Sequence, residues 1–443
     1  MEILRLSKPD RSLCGHLALD GSKSLSNRAL IALSLAGADP AAWLSHVSNS
    51  KDTRTLQRLL AQDSGLFDAG DAGTTFRFLT AYLALRPGVQ ILTGSARMQQ
   101  RPVGALVQAL RSLGADIRFL EKDGYPPLQI GEFKPTASGT PGIRVQADVS
   151  SQFLSALLLV APYLPEGLEL IPEGALVSKP YLEMTLRMMR YFGARVDWQG
   201  HSIVVQPGGY QPRPLRIEAD WSAASYWYAL AAFGDEVDLR LDGLFADSWQ
   251  GDAVLASMMQ AFGVQTQIVD PSPSPQGEGS RLSGSNSPLP LGAGAGVNLR
   301  RDPTVRPAEF RWNFLECPDI AQTLAVICAG LGVPGEFSGL ETLAIKETDR
   351  TAALQIELAK IGVAFGPIPG SAAYRVEGKA AWPTMPHFAS YGDHRMAMAF
   401  APLAMFAPVG IEHPAVVAKS YPMFWEHLKQ VGFQCQTQED DAS

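Results

Sequence analysis

The sequence predicts an α/β fold of six strand–helix units, grouped as two lobes of three with helices packed inside their sheets and a cleft between the lobes. Three observations carry this expectation. A helix with apolar residues at every third or fourth position ends at a glycine and turns into a short β-rich run, five times along the 443 residues. Two further helical segments, Ser151 to Tyr163 and Asp319 to Gly330, are apolar almost all round, as helices enclosed by a lobe must be. Apolar helices also open again and again on small, hydroxylic or basic residues, which sets helix N-termini beside cations.

In chain order, Cys14 to Leu19 reads as a short strand and Ala29 to Ala36 as the apolar run of a helix. Asp20-Gly21-Ser22-Lys23-Ser24-Leu25-Ser26-Asn27-Arg28 joins them. Gly21 allows a tight turn, Ser22 or Ser24 can cap the helix, and the free N–H groups of its first turn stand beside the Lys23 ammonium as an anion socket. Ser24 and Arg28 lie four apart on one face, as do Lys23 and Asn27. The same grammar recurs at Asp71–Arg77, Arg97–Pro102, Ser150-Ser151-Gln152, Ser178–Tyr181, Cys317-Pro318-Asp319, Lys346–Arg350, Gly392–Arg395 and Lys419–Pro422. Aimed at one cleft, these junctions suit a multiply anionic ligand.

The helix–glycine–strand steps end at Gly114, Gly193, Gly263, Gly362 and Gly432, at intervals of roughly 70 to 80 residues apart from one longer gap before Gly362. That gap holds the Pro-, Ser- and Gly-rich stretch 271–296, which cannot bury a core; removing it restores the period. It therefore reads as a loop inserted within one unit, with an interdomain linker as the alternative. A sixth, degraded unit is expected from Thr53 to Gly65, where Leu56–Leu60 begins the same helix but no strand is expected before Asp71.

Composition narrows the function. The chain is 46% hydrophobic and 18% charged with a net charge of −7, which argues for a globular protein and against a nucleic-acid-binding surface. Its four cysteines form no CxxC pair and its seven histidines no close ligand cluster, so neither disulfide nor metal site is expected. The start, Met1-Glu2-Ile3-Leu4-Arg5, lacks an apolar signal core, and no apolar stretch is long enough to span a bilayer. A cytoplasmic location is the expectation. Cys317 reads as a small buried apolar side chain, and the Trp221, Tyr226, Trp227, Tyr228 cluster as packing at the lobe crossover.

At Gly21-Ser22-Lys23-Ser24-Leu25-Ser26-Asn27-Arg28, Asp71-Ala72-Gly73-Thr74, Leu92-Thr93-Gly94, Arg101-Pro102, Ser150-Ser151-Gln152-Phe153, Lys179-Pro180-Tyr181, Lys346-Glu347-Thr348-Asp349-Arg350 and Asp393-His394-Arg395-Met396 the chain resembles the 5-enolpyruvylshikimate-3-phosphate synthases. The likeness runs from about Gly21 to Lys419 with the motifs in order. It implies an inside-out α/β fold of two barrel-like lobes, each of three βαβαββ units, one unit here being trimmed. Residues 1–21 with 220–443 would form the lobe with the C-terminal phosphoenolpyruvate motifs, and residues 22–219 the lobe with most shikimate 3-phosphate contacts. The implied reaction transfers the enolpyruvyl group of phosphoenolpyruvate to the 5-hydroxyl of shikimate 3-phosphate by addition and elimination, releasing phosphate, on the route to chorismate and aromatic amino acids. No cofactor and no metal is implied. The partners are the two small substrates, with no nucleic acid and no membrane, and the chain is expected to act as a monomer.

By the same resemblance, Lys23, Ser24, Arg28, Ser150, Ser151, Gln152, Ser178, Tyr181, Asp319, Thr342 and Lys346 would hold shikimate 3-phosphate. Lys23, Gly73, Arg101, Gln152, Arg350, Arg395 and Lys419 would hold phosphoenolpyruvate. Lys23, Asp319 and Glu347 would carry the chemistry: Asp319 as the base for the 5-hydroxyl and Glu347, with Lys23 sharing or relaying the proton, as the acid for the methylene carbon. The residue types suit the task, because a phosphate, a phosphate ester and two carboxylates must enter one cleft. Three departures bear on the site. Asp71 stands where the family more often has Asn and can serve as a helix cap instead, Thr342-Leu343-Ala344 replaces Asn-Trp-Arg, and Lys51 interrupts an acidic pair. One alternative, the related transferase acting on UDP-N-acetylglucosamine, typically has a reactive cysteine in its first lobe and lacks the Lys346–Arg350 motif; here no cysteine lies between Cys14 and Cys317. A non-catalytic relative that only binds phosphorylated ligands is the other.

Overall fold

The computed structural model describes residues 2–8, 10–135, 140–146, 151–174, 176–269 and 295–439. Ser150 and all but the last two residues of the 271–296 loop lie outside the described residues. Among the described residues the strands form six sheets, five of four strands and one of two. The five share one plan: a parallel pair, then two antiparallel pairings. In one of them Gly65–Asp68 runs parallel to Gln90–Thr93, which pairs antiparallel with Leu128–Phe133, and that strand with Ala115–Phe119.

The five helix–glycine–strand steps have a common outcome: Ala115–Phe119, Val196–Gln199, Val264–Val269, Ala364–Pro367 and Gln434–Glu439 each form an edge of their sheet. The glycine before each strand has φ between 74° and 112°, where a Cβ would be strained, so it ends the helix and reverses the chain into the edge.

The second kind of helix is enclosed. Lys23–Leu35, Gly73–Ala84, Ser151–Val160, Trp221–Phe233, Ala321–Leu331 and His394–Phe400 are buried on almost every face, and for Ser151–Val160 and Ala321–Leu331 this is why the sequence is apolar nearly all round instead of amphipathic. They fill two separate cores. Leu30, Phe76, Leu79, Leu154 and Leu157 belong to one; Leu13, Trp227, Leu324, Ile327 and Phe400 belong to the other. The crossings between lobes run side by side: Gly21 and Ala219 form an antiparallel bridge, with Ser22 N–H donating to Glu218 O at 2.7 Å and Asp220 N–H to Asp20 O at 3.1 Å. Trp221, Tyr226, Trp227 and Tyr228 pack inside the helix that follows the second crossing.

The degraded unit differs in one respect from expectation. A strand, Gly65–Asp68, does follow the helix Lys51–Leu60, but it joins the next four-stranded sheet. The unit keeps only the pair Leu44–Ser45 and Leu215–Arg216. Four residues with Phe67 alone buried give too short an alternation to be recognised locally. The inserted loop joins neighbouring antiparallel strands of one sheet, since Val269 pairs directly with Gly296. Among the described residues no helix is long and apolar enough to cross a membrane.

Candidate active site

First turns of the enclosed helices meet between the lobes. Asp319, in the turn Pro318–Ile320 that leads into Ala321–Leu331, contacts Arg350 Nη1 at 3.0 Å, Arg395 Nη2 at 3.1 Å and Lys346 Nζ at 3.8 Å. From the opposite lobe the Tyr181 hydroxyl donates to Asp319 Oδ2 at 2.9 Å. Burial alone would raise the Asp319 carboxyl, but Arg395, Lys346 and Arg350 outweigh it and hold the group well below the usual carboxylate range.

Glu347 is held in the same way. Burial opposes ionisation, yet Lys419 Nζ at 3.2 Å and Arg350 Nη2 at 3.1 Å, with Arg101 beyond them, keep it well below its ordinary value. Arg350, only 1% exposed, joins the two carboxylates and donates through Nε to Asp393 Oδ2 at 2.7 Å. Asp393 also caps the helix His394–Phe400 by accepting from Arg395 N–H at 2.9 Å, so one carboxylate aligns both guanidiniums. Asp319 and Glu347 thus touch Arg350, Arg395, Lys346 and Lys419, a surplus of positive charge suited to anions.

From the other lobe, Ser22 is the residue that caps the first enclosed helix, and Lys23 Nζ reaches Asp52 Oδ2 at 3.2 Å. Gly73 begins a helix with no side-chain cap. Arg77, one turn on, returns its Nη1 to Gly73 O at 2.9 Å, and burial pushes its guanidinium well below the ordinary value. Arg101 crowds the same glycine: a Cβ there would lie 2.5 Å from Arg101 Nη1 and 2.7 Å from Arg77 Nη1. Arg97 crosses between lobes, its Nε donating to Glu347 O at 3.2 Å.

Arg28 is more deeply embedded than expected of a ligand contact. It donates to Thr185 Oγ1 at 2.7 Å, Ser24 O at 2.9 Å, Ser155 Oγ at 3.2 Å and Tyr181 O at 3.3 Å, all in its own lobe, and burial lowers it to about 10. It thereby fixes the backbone of Ser24 and Tyr181. Ser178 lies in the left-handed region at φ 58°, and its N–H donates across the lobes to Leu315 O at 3.0 Å. Ser151 and Gln152 begin an enclosed helix, and Thr342 lies in the turn Glu341–Ile345 with a buried hydroxyl lacking a hydrogen-bond partner.

Two expectations are corrected. Asp71 does not cap a helix: Ala72 holds that position, and the Asp71 carboxylate turns instead to the Ser95 hydroxyl. Lys419 does not open a helix but ends the turn Pro414–Lys419, and the next helix starts at Phe424, beyond Pro422. Burial lifts the Cys317 thiol to about 12, which fits an inert packing residue. The sequence reading left Arg77, Asp52 and Asp393 without roles. All three had local signals, a basic residue one turn after Gly73, an acid directly before His394-Arg395 and an acid beside Lys51 in the interrupted acidic pair, but nothing local named Lys23 as the partner of Asp52.

The EPSP synthase (3-phosphoshikimate 1-carboxyvinyltransferase) family matches residues 54–428. The chain belongs to this family. A 3-phosphoshikimate 1-carboxyvinyltransferase of Bacteroides fragilis (strain YCH46) is 40% identical over 434 residues, covering 97% of each chain. One of Bordetella petrii is 35% identical over 448 residues, covering 94% of each. Among solved structures, EPSP synthase from Acinetobacter baumannii superposes with a TM-score of 0.74 at 18% identity over 99% of this chain and 100% of that one. The enolpyruvyl transferase NikO from Streptomyces tendae gives 0.69 at 16% identity, covering 99% of both. The two-lobed α/β architecture is therefore that of the EPSP synthase family and its enolpyruvyl transferase neighbours.

Proposed function

We propose that this protein transfers the enolpyruvyl group of phosphoenolpyruvate to the 5-hydroxyl of shikimate 3-phosphate, yielding 5-enolpyruvylshikimate 3-phosphate and phosphate. Family membership supports the reaction. The observation that carries it to particular residues is the pair Asp319 and Glu347, held by one buried guanidinium inside a ring of cations. The lobes are taken as residues 1–21 with 220–443, and 22–219, a division that the change of core between Leu19 and Leu25 and between Ile217 and Ala219 supports.

In this reading the Tyr181 hydroxyl, Ser178, Ser151, Gln152, Ser24, Lys346 and Thr342 face shikimate 3-phosphate, with Arg28 acting through Tyr181 and Ser24. Arg101, Arg350, Arg395, Lys419 and Lys23 receive phosphoenolpyruvate beside the bare backbone of Gly73. Asp319 takes the proton of the attacking hydroxyl, and the methylene carbon is protonated from the Glu347–Lys419–Lys23 side before phosphate leaves. The ionised state of both carboxylates is the starting point. Asp319 is ready to accept a proton, but Glu347 is a poor acid while Lys419 and Arg350 face it. Two anionic substrates would neutralise those cations and raise both carboxyls toward the range in which protons can move. The enzyme is taken as a cytoplasmic monomer.

A coupled phosphate-release assay with phosphoenolpyruvate tests the reading: turnover is expected with shikimate 3-phosphate and none with UDP-N-acetylglucosamine. Turnover with the sugar nucleotide alone would transfer the assignment to the related enzyme, and binding without turnover would make the chain a non-catalytic relative.

A further inference from the structure

Behind Arg395 lies a buried carboxylate with no part in the chemistry just described. Asp252, in the turn Gly251–Val254, is 3% exposed. Its Oδ2 accepts a hydrogen bond from the Ser222 hydroxyl, and its Oδ1 is buried with no hydrogen-bond partner. It forms no ion pair with any cation among the described residues. Ser222 also accepts from Arg395 Nη2 at 3.4 Å, and Arg395 in turn holds Asp319 through Nη2 to Oδ2 at 3.1 Å and through Nη1 to the Asp319 carbonyl at 3.1 Å. A continuous chain therefore runs Asp252–Ser222–Arg395–Asp319.

The groups facing Asp252 come from four elements. Ser222 and Asp220 lie at the start of Trp221–Phe233, Asp319 and Cys317 beside the turn Pro318–Ile320, Arg395 at the start of His394–Phe400, and Tyr181 in Lys179–Tyr191. Asp252 and Asp319 form an unequal carboxylate pair. Asp319 has three cations in contact and keeps its charge; Asp252 has a hydroxyl and a like charge nearby, so the pair's proton stays on Asp252. Burial and then Asp319 lift Asp252 to about 7, against the opposing pull of Arg395 and Ser222.

We propose that Asp252 is a positioning residue for the enolpyruvyl donor, which carries a proton while the donor is bound and sets, through Ser222, how freely Arg395 can turn from Asp319 toward an incoming anion. The inference rests on the placement of phosphoenolpyruvate at Arg395. Protonated, Asp252 offers Arg395 no competing charge. Ionised, it adds a second negative charge behind that guanidinium, draws it inward and opposes an anion in front of it. The sign follows: donor binding raises the proton affinity of Asp252, so donor affinity falls as pH rises through the neutral range.

The test compares wild-type enzyme with Asp252→Asn, uncharged at every pH, and with Ser222→Ala, which breaks the link. The readouts are KM for phosphoenolpyruvate and kcat between pH 6 and pH 9 at saturating shikimate 3-phosphate. In the wild type KM should rise by about tenfold across this span, the scale of one charge acting at short range in a partly screened site. In Asp252→Asn that rise should shrink to about twofold with kcat little changed, and Ser222→Ala should fall between. Calorimetry of phosphoenolpyruvate binding to the unaltered protein in buffers of different ionisation enthalpy is independent of any variant's folding; it should record proton uptake near pH 7.5. A KM profile in active Asp252→Asn that parallels the wild type, or binding without proton uptake, overturns the inference. A wild type without turnover overturns the functional reading instead.

Discussion

Replacing Gly73 by alanine probes the donor side of the cleft with a single methyl group. The new Cβ would lie 2.5 Å from Arg101 Nη1, 3.0 Å from Arg101 Cζ and 2.7 Å from Arg77 Nη1. Non-bonded heavy atoms settle at about 3.5 Å or more, so both guanidiniums must retreat by about 1 Å. The cost to the fold is small, since long side chains can shift at their tips and alanine is better than glycine inside a helix by about 1 kcal/mol. The cost to binding is not small. A guanidinium displaced from its anion loses a charge-assisted hydrogen bond of about 1.5–3 kcal/mol, which is roughly ten- to hundredfold in affinity. Phosphate-release kinetics should therefore show KM for phosphoenolpyruvate raised by roughly ten- to hundredfold, while calorimetry gives a shikimate 3-phosphate Kd within about twofold of wild type. Equal losses for both substrates, or an unchanged KM for phosphoenolpyruvate, would refute the crowding argument.

Other perturbations follow from the same geometry. Arg350→Met strands Asp319, Glu347 and Asp393 without their shared cation and should cost about 3–5 kcal/mol, read from denaturant unfolding; a loss under 1 kcal/mol would show that water or neighbouring lysines replace it. Asp319→Asn and Glu347→Gln should each lower kcat by about a hundredfold or more with much smaller changes in substrate binding, and normal turnover with weakened binding would reduce either to a positioning role. Glu218, at the crossover, accepts from Trp221 Nε1, Phe245 N–H, Ser248 and Gln250, but burial still lifts it to about 7. With the folded value above the unfolded one of about 4.3, its stabilisation is complete below that value and lost as pH rises toward about 7. Glu218→Gln should accordingly flatten the dependence of Tm on pH across this window, and an unchanged slope would contradict the shift. Replacing residues 271–294 with a short Gly-Ser turn should leave kcat and Tm nearly unchanged, since Val269 and Gly296 already pair; loss of folding would give the segment a structural role.

Legibility in the sequence followed the range of the interactions. The helix–glycine–strand steps were visible because each is closed by its own turn, with Gly114, Gly193, Gly263, Gly362 and Gly432 in the left-handed conformation. The strand Gly65–Asp68 was not, because its only fixed feature is a buried Phe67 whose neighbours come from another unit. At the site, Lys23, Asp319, Glu347, Arg350 and Arg395 could be named from motifs, yet the motifs did not reveal which carboxylate meets which cation. Asp252 had no local signature at all, and nothing beside Asp52 pointed to Lys23.

The sequence by itself determined the periodic architecture, two of the enclosed helices and the anionic character of the ligand, since backbone conformation, side-chain hydrophobicity and formal charge are properties of short stretches. Only the tertiary structure decided that Arg350 joins Asp319 to Glu347, that Arg28 is occupied within its own lobe, and that Asp252 stands behind Arg395. Those outcomes depend on burial and on distances between residues far apart along the chain. At such separations a few ångströms decide whether a carboxylate is paired and ionised or left holding its proton.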